Sequence, residues 1–131
     1  VWPKSVINYT TKTQFLFRIN KGVLDVSDDD SLNRFLPDDE RSVPFRNMLY
    51  FGDGPTDIPC MKLVKSNGGY SIAVYKSRKT NVVRELLTDG RVDFIARADY
   101  SEGKELDRMV KKIMAKMVAT DELVELHRKQ F

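Results

Sequence analysis

Asn47-Met48-Leu49-Tyr50-Phe51-Gly52-Asp53-Gly54-Pro55-Thr56-Asp57-Ile58-Pro59-Cys60-Met61 passes from an almost continuous apolar run into a polar, glycine-rich turn, then into a second apolar series. The run over 47–51 predicts a strand buried on both faces, the kind found in parallel sheets. Asp57 stands where a helix would be capped, and Pro59 is tolerated in a first turn. Ile58, Met61, Leu63 and Val64 supply an apolar face, and Asn67-Gly68-Gly69 supplies a stop. Strand, turn and helix in that order make the unit from which α/β folds are built.

Working outward, the pattern repeats. Residues 71–75 read as a second strand, and 80–87 as a helix with Val82, Val83, Leu86 and Leu87 ahead of Gly90. Residues 92–96 read as a third strand. Over 104–128, Leu106, Met109, Val110, Ile113, Met117, Leu123 and Leu126 recur at near-helical intervals, which predicts one long amphipathic helix. Upstream, Phe15, Leu16 and Ile19 place a helix over 11–20 with Lys12 at its beginning and Gly22 at its end. Between these parts, 23–46 reads as an irregular insertion with acidic runs, two prolines and one short helical turn near 32–36.

The fold class is therefore α/β, and residues 1–131 are expected to belong to one domain. Three short parallel strands are few for a complete domain of this class, because both edges of so small a sheet need cover. The first strands are expected to be missing.

Composition narrows the function classes. Of the 131 residues, 41% are hydrophobic and 31% charged, and no apolar run approaches the ~20 residues of a membrane-spanning helix. No membrane partner is expected. The 22 basic and 19 acidic residues are interleaved, so a net charge of +3 does not form the single-sign stripe of a nucleic-acid binder. Cys60 is the only cysteine and His127 the only histidine. That excludes an intrachain disulfide framework and a multi-histidine metal site, and suits a reducing, cytoplasmic setting.

The chemistry points to the 52–57 loop. Ligands of open α/β sheets bind beyond the carboxyl ends of the strands, where this turn falls. Gly52 and Gly54 are expected to adopt backbone conformations closed to other residues and to let a ligand approach. Asp53 and Asp57 bring two carboxylates to one loop, a donor set that suits Mg²⁺. A turn at Asp53-Gly54 followed by a capping Asp57, with no ligand at all, explains the same spacing.

The segment 48–61 closely resembles the fourth conserved motif of haloacid dehalogenase superfamily hydrolases. Thr11-Lys12-Thr13-Gln14-Phe15-Leu16-Phe17 resembles the third motif of the phosphoserine phosphatase-like members. Gly68-Gly69-Tyr70-Ser71-Ile72-Ala73-Val74-Tyr75 and Ala98-Asp99-Tyr100 follow where later strands would lie. The resemblance implies a Rossmann-like core whose parallel sheet is flanked by helices. In it Asp53 binds Mg²⁺, Asp57 binds the ion or orients its water shell, Gly52 and Gly54 shape the loop beside the phosphate, and Lys12 neutralises nucleophile and phosphoryl group.

It also implies a nucleophilic aspartate closing an early strand, with a second aspartate two residues later, and no such element occurs here. Asp28-Asp29-Asp30 and Asp38-Asp39-Glu40 lie in polar stretches, Asp25 lacks a second carboxylate two residues on, and Asp93 falls within a predicted strand. The expectation is a phosphatase acting on a small phosphorylated metabolite through an aspartyl-phosphate in the whole protein. This chain would supply the metal loop and the lysine, be inactive alone, and pair with the N-terminal portion or with itself. The competing expectation is a non-catalytic metal-binding or interaction fragment. A response-regulator-like receiver would need its lysine after the acidic loop, whereas here it comes before.

Overall fold

A computed structural model of the chain describes residues 9–23, 42–76 and 80–131. Most of the predicted 23–46 insertion, including its helical turn and acidic runs, lies outside these residues. Three strands, β1 (Leu49–Gly52), β2 (Tyr70–Tyr75) and β3 (Phe94–Arg97), form one parallel sheet in the order β1-β2-β3. The register pairs Leu49 with Tyr70 and Ile72 with Phe94. Helices α1 (Tyr9–Lys21), α2 (Ile58–Ser66), α3 (Asn81–Thr88) and α4 (Glu105–Arg128) complete the described structure. The sequence pattern predicts all seven elements to within a few residues.

Alternation along the strands sorts the core into layers. Ala73 of β2 faces α2 and α3, packing with Met61, Val83, Leu86 and Val92. Ile72 and Val74 point the other way, against Leu106 and Ile113 of α4 and Ala96 of β3. A third cluster joins Leu16 of α1 to Cys60 and Val64 of α2 through Phe45 and Met48, with the Phe17 and Phe45 rings edge to face at 5.5 Å. Through this cluster α1 rests on α2, with Tyr50 of β1 packed against the same residues, which carries Lys12 to the carboxyl end of β1.

Several boundaries differ from the sequence-based expectation. Residues Phe45–Asn47 form a 3₁₀ turn, so β1 begins at Leu49. Nor is β1 buried on both faces: only Gly52 is buried, and Phe51 is 37% exposed. The reason is position, since β1 lies at an edge and the fully covered strand is β2, buried from Ser71 to Val74. Asp93 precedes β3, where its carboxylate accepts the Ser71 N–H at 2.9 Å and its own N–H donates to Ser71 O at 2.9 Å. It extends the ladder by one side-chain bond.

Tight turns follow each crossover helix. Gly68 and Gly90 have φ of +93° and +71°, a backbone region that L side chains rarely adopt. Lys65 of α2 donates to Gly90 O at 2.7 Å and so ties the ends of α2 and α3 together.

Candidate functional site

The loop after β1 is shaped by crowding at one glycine and by open space at the other. A Cβ on Gly52 would sit 2.7 Å from Asp57 Cβ and 2.8 Å from Met61 Sδ, so the residue is small because α2 closes over the strand end. Gly54 has no neighbour within 4 Å of a would-be Cβ, and its φ of −147° is extended. Neither glycine has positive φ, which corrects the expectation of conformations closed to other residues. What the loop provides is close packing at Gly52 and unobstructed approach at Gly54.

Asp57 closes a 3₁₀ turn (Pro55–Asp57) and stands directly before α2, yet its side chain caps no helical N–H. It turns back across the strand end. Lys12 Nζ donates to Asp57 Oδ1 at 2.9 Å, Tyr50 OH donates to the same oxygen at 2.7 Å, and the Asp53 N–H reaches Oδ2 at 3.2 Å. The capping reading of Asp57 is thereby replaced by a buried junction of α1, β1 and the loop, its side chain only 10% exposed.

These contacts set the charge states. Burial alone would push the Asp57 carboxyl upward, but the Lys12 ammonium, the Tyr50 hydroxyl and the Asp53 N–H outweigh it and hold the group below the usual carboxylate value. The bond to Asp57 raises Lys12 above its ordinary value. Burial, followed by the bond to Asp57, pushes the Tyr50 hydroxyl well above its usual range, so it serves as a donor at neutral pH. Burial also raises the Cys60 thiol, the opposite of what a nucleophilic cysteine requires.

Lys12 and Asp57 thus meet, although 45 residues separate them. Lys12 is also 3.4 Å from Thr56 Oγ1, and its side chain remains 29% exposed. Asp53 differs from both: it is exposed at the lip of the loop, and its carboxylate accepts no hydrogen bond and forms no ion pair among the described residues. The site therefore holds a committed carboxylate below and an uncommitted one above, with an ammonium beside them. Tyr50 belongs to it as well, although neither motif nor spacing points to it. The available signal was a phenol at an inward strand position, since a half-buried hydroxyl needs a partner.

Among the described residues no three His, Cys, Asp or Glu side chains come together as a metal cluster. A site of zinc type is built from three or four such protein donors. Mg²⁺ asks for less, since one or two carboxylates, several waters and a substrate phosphate complete its shell. Asp53 fits as the direct donor. Asp57 takes two bonds on Oδ1 and one on Oδ2, which leaves one Oδ2 lone pair for the ion or for a water in its shell.

No family model and no solved structure matches the chain. A protein of Borreliella burgdorferi described as uncharacterized is 29% identical over 103 residues, covering 76% of this chain and 34% of its own length. The chain thus matches about a third of the length of that relative. No helix among the described residues is long and apolar enough to cross a membrane.

Proposed function

We propose that this chain is the metal-binding, C-terminal part of a Mg²⁺-dependent phosphohydrolase of the haloacid dehalogenase type. The observation that carries the reading is the meeting of Lys12 with Asp57 at 2.9 Å beyond the carboxyl end of β1, beside the uncommitted Asp53. In this reading Asp53 holds Mg²⁺, and the bound ion offsets charge on the phosphoryl oxygens. Asp57 aims Lys12 and orients water near the ion. Lys12 balances negative charge on the phosphoryl group, the electrostatic role on which phosphoryl transfer mostly depends.

Among the described residues β1 has one edge unpaired, where a further parallel strand would add, its carboxyl end about 5 Å away in the pairing direction. A carboxylate closing such a strand would stand next to Asp53 and Lys12, where an attacking group is needed. That strand and the substrate-selecting parts belong to the rest of the protein in this proposal, and the substrate class is a small phosphorylated metabolite.

Paramagnetic Mn²⁺, a common stand-in for Mg²⁺, tests the metal assignment on this chain. Backbone amides of residues 52–54 should broaden first, recover on addition of excess Mg²⁺ or EDTA, and remain sharp in Asp53→Ala. Broadening spread over exposed acidic helix positions, or unchanged by Asp53→Ala, would overturn the assignment.

A further inference from the structure

A cavity of about 130 Å³ lies at the opposite end of β1 and β2 from the 52–57 loop, lined by Arg46, Gly68, Tyr70, Lys116, Met117 and Thr120. Tyr70 is paired with Leu49 at the amino ends of the strands, so the cavity belongs to a different face of the molecule. Its walls come from the 3₁₀ turn before β1, the turn before β2, and the middle of α4.

The polar groups here are mostly donors. Lys116 Nζ donates to Tyr70 OH and lies 5.1 Å from the centre of the Tyr70 ring. By accepting that bond, the phenol keeps its own proton free to donate. Among the described residues Arg46 Nε is buried and has no hydrogen-bond partner. An orphaned guanidinium N–H is costly to leave unpaired in a folded protein. The Thr120 hydroxyl has no partner among the described residues.

One acceptor competes. Asp121 lies 3.5 Å from Arg46 NH2 and takes two bonds from Asn47 Nδ2, at 3.0 and 3.2 Å. It occupies one arm of the guanidinium and leaves Nε unused. Two cations against one carboxylate leave the cluster net positive, and its spare capacity is made of N–H and O–H groups apart from the buried Asn47 Oδ1.

We propose that this cavity binds a small tetrahedral oxyanion of the phosphate or sulfate type. The Arg46 guanidinium and the Lys116 ammonium supply the charge, and the Tyr70 and Thr120 hydroxyls complete the donor set. Planar, delocalised guanidinium beside a point-charge ammonium is a common way to hold such oxygens. A neutral ligand would leave the positive charge unanswered, and a cation would be repelled. Because the walls are partly open to water, the affinity is weak, on the order of millimolar. The proposal is independent of the chemistry at Asp53.

Titration of the full chain with inorganic phosphate and, separately, sulfate at constant ionic strength, followed by backbone amide shifts, tests it. Saturable shifts at Gly68, Tyr70 and residues 116–120 are expected with both anions, whereas acetate should give none that saturate. Arg46→Gln and Lys116→Gln should each weaken binding at least about fivefold with an unchanged circular dichroism spectrum. Asp121→Asn should tighten it by removing the competing carboxylate, a direction that a merely structural Arg46–Asp121 pair does not predict. Shifts confined to the 52–57 loop, no saturable shift, or binding unaffected by all three substitutions would overturn the proposal.

Discussion

Gly52 and Gly54 lie two residues apart in one loop and answer to different constraints. Gly52→Ala drives a methyl group into Asp57 Cβ and Met61 Sδ, at 2.7 and 2.8 Å, so chemical denaturation should show a loss of about 1–3 kcal/mol. Gly54→Ala meets nothing within 4 Å and should leave stability within about 0.5 kcal/mol. Asp57 makes its own statement through pH. Its folded carboxyl lies below the usual 3.8, so its contribution is fully present above that value and is lost as pH falls through the folded value. The Lys12 end of the same pair, raised above 10.5, gives way only as alkaline pH passes its folded value, and the pair is counted once. In Mg²⁺-free buffer Asp57→Asn should cost roughly 1–2 kcal/mol at neutral pH, and the gap from wild type should close as pH falls through the lowered folded carboxyl value. Parallel acid limbs with a constant gap would show that the pair carries no such linkage.

At the scale of elements, periodicity identified what packing later used. Ile72 and Val74 alternate with Ala73, and the structure sends them to opposite layers. What periodicity could not supply was sheet order. Continuous apolarity over 48–51 reads the same for a central strand as for an edge strand, and only the pairing shows that β1 is at the edge. The site was legible to a similar degree. Lys12, Asp53 and Asp57 were singled out by motif and spacing, but the bonding that separates a committed Asp57 from an uncommitted Asp53 depends on Tyr50 and on how α1 rests on α2, neither of which leaves a local signature. The long helix shows the same limit. At 24 residues, α4 spans about 36 Å, well beyond strands of four to six residues, so its apolar positions do not all find partners. Leu106 is 2% exposed and Leu123 67%. Leu106→Ala should therefore cost about 2–5 kcal/mol by thermal or urea unfolding, and Leu123→Ala less than about 0.5 kcal/mol.

At the scale of the whole molecule, the described sheet has two free edges, and the edge beside Asp53 is the one the proposed chemistry needs filled. In the proposed reading, the loop of Asp53 and Asp57 with Lys12 would be half of a phosphoryl-transfer site, and the attacking carboxylate would come from a strand added at that edge. The most direct measurement is hydrolysis of an aryl phosphate in Mg²⁺ by the protein carrying whatever sequence its gene encodes ahead of Val1, set against this chain alone. The extended protein should turn the ester over, lose activity in EDTA, and fall in kcat by about 100-fold or more on Asp53→Ala or Lys12→Ala, while the isolated chain stays silent. Turnover by the isolated chain that Asp53→Ala abolishes would place the nucleophile within these residues. An extended protein that turns over no ester, or whose turnover is indifferent to Asp53 and Lys12, would contradict the account.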